Sequence, residues 1–141
     1  MSTFFAVRDE IAEKLKEIPE FQEIYTPLNS VGITELMQIT PSAHVNFVRL
    51  SKKDSAGRGV ANLLGQQWAV AVACRNAESQ MNDGSAVSDV AGGLAEQVIK
   101  LLSGWKPKNS RTPLQLLDVK DGYSSSCAYI TIIFESEKFI I

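Results

Sequence analysis

The sequence predicts an α+β domain, with a mostly antiparallel β-sheet flanked by two main α-helices. Two segments carry apolar side chains at three- and four-residue steps, as one face of a helix requires. Several others alternate apolar and polar residues with the period of two typical of strands. A chain of 141 residues, 45% of them hydrophobic, suits a single domain over residues 1–141 with a sizeable core. The predicted order is α-β-β-α-β-β, and one further short element near residues 21–37 is left without a type.

The first helix is predicted over Thr3–Ile18 and ends at Pro19. Its apolar face holds Phe4, Val7, Ile11, Leu15 and Ile18. Its solvent face holds Arg8, Asp9, Glu10, Glu13, Lys14, Lys16 and Glu17. Because these charges are spread over an exposed face, we interpret them as solvating the helix and not as a catalytic carboxylate pair.

Residues 20–41 give mixed signals. Phe21–Tyr25 predicts a short strand, whereas Ile33–Met37 fits either one helical turn or a second short strand. The alternation in Ala43–Leu50 then predicts a half-buried strand that begins after Pro41.

The segment Ser51–Gln66 is polar, punctuated by glycine and longer than a tight hairpin needs, which predicts a long protruding loop. Such loops often carry function, although a merely flexible hairpin tip fits the sequence equally well. The tripeptide Gly57-Arg58-Gly59 lacks the remaining residues of a phosphate-binding loop.

The strongest strand is predicted over Gln67–Arg75. One face carries Trp68, Val70, Val72 and Cys74, and the other face carries Ala69, Ala71 and Ala73. This pattern predicts a central strand covered on both sides. The alanine face fits either a partner subunit or ordinary helix packing.

The largest apolar stripe lies in a helix predicted between Ser85 and Pro107. It comprises Val87, Val90, Ala91, Leu94, Val98, Leu101 and Leu102. Ser85 is the predicted N-cap, Asp89 is placed in the first turn, and Gly104 supplies a left-handed end. Pro107 prevents the helix from resuming.

Two glycines interrupt this helix, and a tryptophan follows it. Gly92 and Gly93 each cost roughly 1 kcal/mol relative to alanine, so we expect a sheet or another chain to approach closely there. Trp105 is predicted to fix how the chain leaves the helix.

Two strands are predicted to follow, Leu114–Lys120 and Ser125–Glu135, with a turn at Asp121-Gly122. Both faces of the last strand are apolar, which predicts a central strand or one covered by a partner. The apolar tail Lys138–Ile141 is expected to dock on its own domain or on a neighbour.

No catalytic or metal-binding motif emerges. With one histidine and two separated cysteines the chain cannot form a standard zinc site. A dyad of His44 with Cys74 or Cys127 stays open, although thiols within apolar strands tend to be inert. No cofactor is expected. A net charge of −2 without a basic cluster argues against nucleic-acid binding. No run approaches the roughly 20 apolar residues of a membrane span, and no secretory signal is visible, so we expect a soluble protein made in a cytoplasm.

Several short motifs and the order of elements carry a family resemblance. They are the start Phe4–Ile18, the strand entry Pro41–Val45, the strand Gln67–Val70, Ala91-Gly92 with Leu94, the closure Gly104–Pro107 and Phe134. Together they resemble the tail terminator (tail completion) proteins of long-tailed bacteriophages and their prophage relatives, including the Mu-like branch.

The resemblance implies a structural virion protein that assembles in the host cytoplasm as a hexameric ring on the tail tube. The ring would stop tube polymerisation and offer its other surface to the head–tail connector. By analogy, contacts with the tube or within the ring fall on Lys52, Lys53, Asp54 and Arg58. The alternatives are another ring-forming neck or minor tail protein, and a small cytoplasmic thiol enzyme.

Overall fold

Over the described residues, a computed structural model of the protein contains two helices and five strands. It describes residues 4–27, 29–30, 32–34, 37–75, 85–124 and 126–141, with 85–88 as backbone only. The elements are α1 (Ala6–Leu15), β1 (Glu23–Tyr25), β2 (Ser42–Ala56), β3 (Ala61–Arg75), α2 (Ser85–Leu102), β4 (Gln115–Tyr123) and β5 (Cys127–Ile140). The predicted α+β class is confirmed.

The five strands form one sheet in the order β1-β2-β3-β5-β4. Strand β1 runs parallel to β2, and every other neighbouring pair is antiparallel. Strands β3 and β5 lie in the middle, as their apolar faces predict. The two ends of the sheet are therefore β4 on one side and, beyond short β1, most of β2 on the other.

Both helices pack on one face of the sheet, which we call the helix face. On β3 this face carries the fully buried Trp68, Val70 and Val72, which contact the apolar sides of α1 and α2. The indole Nε1 of Trp68 donates a hydrogen bond to Ser136 Oγ at 2.8 Å. Trp68 thus lies in the core, on the covered face of β3.

The opposite face of the sheet, which carries Ala69, Ala71 and Ala73, we call the open face. Helix packing on the alanines, one of the two alternatives, is wrong, because both helices lie on the other side. Instead, Ser30, Ile33, Thr34 and Gln38 lie against one end of the open face, where they line a cavity together with residues of the sheet. Near Met37, the N–H groups of Met37 and Gln38 both donate to the Thr34 carbonyl, at 3.0 Å and 3.1 Å, which is the bonding of one helical turn and not of a strand.

Helix α1 is shorter than predicted, and its solvent face contains an error. Val7, Ile11 and Leu15 are buried as expected. Arg8, predicted to be solvated, is only 8% exposed. Its guanidinium lies 4.8 Å from the centre of the Phe5 ring, and its Nε donates to Asp9 at 3.3 Å. The Phe5 ring shields the apolar stem of Arg8 from water, and the guanidinium charge is balanced by the face of that ring and by Asp9.

Helix α2 buries most of its predicted stripe, with Ala91, Leu94, Val98 and Leu102 in the core. Val90 is 50% exposed, so its predicted burial is wrong. The first turn holds no acidic residue, since Asp89 lies one turn further on. The predicted roles of Ser85 and Val87 concern side chains outside the described set.

Among the described residues, the glycine pair of α2 has no close neighbour. A Cβ atom added at Gly92 or Gly93 would meet nothing within 4 Å, so the expected close approach of the sheet is wrong. The helix end is confirmed: Gly104 has φ +80° and its N–H donates to the Leu114 carbonyl at 3.0 Å.

Trp105 fixes how the chain leaves α2, as predicted. The indole packs against the core, and the backbone carbonyl of Trp105 accepts a hydrogen bond from the Leu114 N–H at 2.9 Å. Pro107, just beyond, is buried. This exchange between the helix end and Leu114 fixes where β4 begins.

Two boundaries near the C-terminus differ from the prediction. Asp121 and Gly122 do not form a turn but lie within β4, paired with Ile130 and Tyr129. Strand β5 continues to Ile140, so the apolar tail docks on its own domain as one of the two alternatives proposed.

Candidate functional site

The predicted loop Ser51–Gln66 is a β-hairpin. Residues 51–56 of β2 pair with residues 61–65 of β3, and only residues 57–60 form the turn. We call residues 51–64 the arm. Gly57, Arg58 and Gly59 all have positive φ, between 61° and 90°. The loop prediction is wrong because most of the arm is exposed on both faces, so its sequence shows no alternation.

The end of β5 supplies a third strand to the arm. Leu63 pairs with Phe139 and Asn62 pairs with Ile140. A two-stranded ribbon is marginally stable in water, whereas a third strand makes such a projection much firmer. The guanidinium of Arg111 lies 4.9 Å from the centre of the Phe139 ring, which anchors this strand to the loop before β4.

Lys53, one of the four predicted contact residues, forms an ion pair within the chain. Its Nζ lies 2.7 Å from a carboxylate oxygen of Glu135, whose side chain is only 8% exposed. The hydrogen bond to Glu135 and the charge of its carboxylate raise the pKa of Lys53. A Cβ at Gly65 would come within 2.8 Å of Lys53 Cε, so glycine leaves room for the pair.

The other three predicted residues, Lys52, Asp54 and Arg58, are all exposed on the arm. Val60, also in the turn, is 64% exposed. The arm therefore combines charged side chains with an apolar tip. The roles of Glu135 and Gly65 were missed in the sequence. A glycine inside a strand signals a close approach, which would have indicated Gly65 once residues 51–66 were recognised as strands.

Strand β4 presents a second unusual surface. Leu116, Leu117, Val119 and Tyr123 are each between 42% and 61% exposed. In the part of the chain that the structure describes, no strand pairs with the outer edge of β4. An edge strand of nine residues with four exposed apolar side chains is a ready template for another chain.

A buried amide organises the covered end of the open face. Gln38 Oε1 accepts a hydrogen bond from His44 Nε2 at 2.8 Å, and Gln38 Nε2 donates to Tyr129 Oη at 3.0 Å. The His44 ring stacks on Tyr25 with centroids 4.9 Å apart, and burial lowers the pKa of His44. Gln38 thus attaches its own part of the chain, before β2, to the open face of the sheet.

The chemistry of this cluster does not suit catalysis. His44 bonds to an amide, and Cys127 receives a weak hydrogen bond from Gln38 Nε2 at 3.6 Å. Burial raises the pKa of Cys74 to about 11, so its reactive thiolate is scarce at neutral pH. Nowhere among the described residues do three or more potential metal ligands gather.

A further observation concerns the two helices. Over the described residues, neither is long and apolar enough to cross a membrane.

Comparison with known proteins decides the family. The model of a family described as phage tail terminator protein matches residues 1–141, the whole sequence. The chain belongs to this family. It is therefore a structural protein of the phage tail and a component of the virion, as the resemblance implied.

A solved structure shares the terminator fold. Its description is "Virion of native gene transfer agent (GTA) particle", and one of its chains superposes with a TM-score of 0.60 at 12% identity. The match covers 96% of this chain and 98% of that one. No curated protein matches the sequence.

Proposed function

We propose that this tail protein forms a ring, hexameric as the family resemblance implies, on the end of the tail tube. The ring stops polymerisation of the tube and offers its other surface to the head–tail connector. Assembly takes place in the cytoplasm of the host. We assign these contacts to a single domain over residues 1–141.

The observation that carries the proposal is the projecting arm. Its six β2 residues, Ser51–Ala56, span about 20 Å at the usual rise of a strand. Nearly all of their side chains are exposed, so the arm gains little burial within its own chain. A firm, three-stranded projection of this kind is suited to contact another protein.

The charges of the arm favour a protein partner. Lys52 and Arg58 carry positive charge and Asp54 carries negative charge, which gives a mixed surface like the polar rim of an interface. We place the contact with tube or ring on these three residues. Lys53 contributes indirectly, since its pair with Glu135 fixes the strand next to them.

The similarity to a chain of a gene transfer agent virion supports a place in an assembled particle. The thiol-enzyme alternative is disfavoured, because both cysteines are buried and the pKa of Cys74 is raised to about 11. Another ring-forming neck protein would use the same surfaces and differ in position on the tail, which the experiment below resolves.

The test reverses two charges of the arm in a phage that carries the variant gene. Lys52→Glu with Arg58→Glu should leave the fold intact, because neither side chain has an ion pair among the described residues. We expect tails of uncontrolled length and a loss of infectivity by at least tenfold. Tail length is measured by electron microscopy and infectivity by plaque counts.

A matched control reverses two exposed lysines elsewhere, Lys100→Glu with Lys106→Glu, which changes the net charge equally. Control phages should have tails of normal length. Normal tails and normal infectivity in the arm variant would overturn the arm contact. Cryo-electron microscopy of the tail ends then counts the subunits, and absence of the protein from the end of the tube would overturn the proposed function.

A further inference from the structure

The sheet ends in two unpaired edges. Strand β1 pairs only with residues 42–44 of β2, so within the described chain no strand lies against the outer side of residues 46–56. At the other end the whole outer side of β4 is unpaired. Each edge offers backbone N–H and C=O groups that another strand can use.

Neither edge is guarded by proline, by a very short strand or by a cover, which are three of the ways in which proteins protect an exposed edge. Both edges do carry charged side chains and β-bulges, between Phe47 and Arg49 on β2 and between Leu116 and Asp118 on β4. Strand β4 has nine residues without proline, and Leu116, Leu117 and Val119 are exposed. On the β2 edge, Val48 is 44% exposed and Leu50 is 37% exposed. Both edges thus combine exposed apolar side chains with unpaired backbone groups.

The two edges are complementary in charge. On β2, Arg49 and Lys52 are exposed and have no ion pair among the described residues. On β4, Asp118 makes a long ion pair of 3.8 Å with Lys120, and Asp121 accepts a long hydrogen bond of 3.5 Å from Tyr123 Oη. Both edges are mixed, since β2 also carries Asp54 and β4 also carries Lys120, but the net charge is positive on the β2 edge and negative on the β4 edge. The two edges therefore fit each other better than either fits itself.

The strand directions also agree. Successive antiparallel pairing from β2 through β3 and β5 makes β4 antiparallel to β2. When a second copy is placed beside β4 by a rotation about an axis along the strands, its β2 continues the antiparallel alternation. Such a contact joins two different surfaces, and repetition of one rotation closes it into a ring.

We infer that the partner of the β4 edge is a second copy of this chain, bound through its β2 edge. The sheets of neighbouring copies then join into one continuous sheet. The β4 edge with Asp118 and Asp121 then lies along the β2 edge of the next copy, which carries Arg49 and Lys52. This inference rests on the proposed ring, since it names the surfaces by which the ring closes.

A charge swap between two variants tests the contact. One variant carries Asp118→Lys and Asp121→Lys, and the other carries Arg49→Glu and Lys52→Glu. Each variant alone brings like charges together at every contact. When the two are coexpressed, every contact in an alternating ring again pairs opposite charges.

We expect each variant alone to place at least tenfold less protein on purified tails, and coexpression to restore most of it. The amount is measured by quantitative mass spectrometry against the tube protein. Because Lys52 is also placed in the arm contact, a second pair of variants, Asp118→Lys and Arg49→Glu, repeats the test without it. Failure of coexpression to restore either pair would overturn the inference.

Cysteine cross-linking identifies the strands directly. Leu50→Cys and Val119→Cys lie on the helix side of their strands, and the native Cys74 and Cys127 are buried. With a short bismaleimide, tails that contain both variants should give a cross-linked dimer. Tails with either variant alone, or with the wild-type chain, should give none.

The outcomes separate this inference from the proposed function. A dimer formed by Val119→Cys alone means that two β4 edges meet each other, and it overturns the inference. Absence of any cross-link from tails that carry a normal ring also overturns it while the proposed function stands. Absence of the protein from tail ends overturns both.

Discussion

The helix-covered half of the sheet and its uncovered parts differ in how completely the chain buries its own apolar side chains. Around Trp68 and Phe134 the two helices exclude water entirely. On β4, side chains such as Leu116 and Val119 remain exposed although they belong to a regular strand, and Val60 is exposed in the turn of the arm. One part of the sheet therefore lies in a fully buried core, and another part exposes apolar side chains to solvent.

This difference separates folding from assembly. The covered half provides the apolar burial that stabilises the folded chain. The arm and β4 add backbone order, which is costly, with little burial in return. Exposed apolar side chains that do not stabilise the fold at these places are best explained by contact with partner proteins. Substitutions in the covered half should therefore lower the unfolding free energy, whereas substitutions on the arm and β4 should impair assembly with little loss of stability. The following predictions test this difference.

The largest loss of stability is expected for Trp68→Ala. Removing a fully buried tryptophan leaves a cavity and breaks the bond to Ser136, which should cost about 3–5 kcal/mol of unfolding free energy. The matched variant Leu116→Ala on β4 should change stability by no more than about 0.5 kcal/mol, since that side chain is already exposed. Urea unfolding followed by circular dichroism measures both. Equal losses of unfolding free energy in the two variants would contradict the expected difference between the covered half of the sheet and β4.

A moderate loss is expected for Gln38→Ala. The amide of Gln38 bonds to His44 and Tyr129 at the covered end of the open face. Removing it takes these two hydrogen bonds away from half-buried partners, at a cost of about 1–3 kcal/mol. Urea midpoints give the loss, and Asn46→Ala is a control on the same face of the sheet. A change below the experimental error would show that the hydrogen bonds of Gln38 do not hold this end of the open face.

The covered half of the molecule was largely predictable from the sequence because burial on one face leaves a periodic pattern. Helices α1 and α2 and the central strands β3 and β5 all follow from that pattern. Arg8 and Val90 are exceptions, since a neighbouring ring covers one and α2 presents the other to solvent.

The uncovered parts were not predictable by the same means. The arm has water on most sides, so its sequence lacks alternation and resembles a loop. Asp121-Gly122 has the composition of a turn, but pairing with β5 holds it in a strand. The ion pair of Lys53 joins residues far apart in sequence, so its partner Glu135 could not be inferred from spacing.

A smaller effect is expected from His44, the single histidine of the chain. Burial lowers its pKa below the ordinary value of 6.5, so the unfolded chain takes up a proton more readily than the folded chain does. As the pH falls through 6.5, the unfolding free energy should therefore decrease. Urea unfolding between pH 7.5 and about pH 5 measures this slope. The variant His44→Gln should reduce it, and an unchanged slope would assign the effect to other groups.

The smallest change is expected at Gly92 and Gly93, and its sign is opposite. A Cβ at either position meets no atom within 4 Å, so alanine should stabilise the free protein by about 0.5–1 kcal/mol per site through its higher helix propensity. If the glycines serve only the fold, phages that carry Gly92→Ala with Gly93→Ala should assemble normally. If another chain approaches α2 there, the same variant should be more stable as a free protein and yet fail to complete tails. Urea unfolding and tail length, measured together, distinguish the two cases, and a destabilised free protein would contradict both.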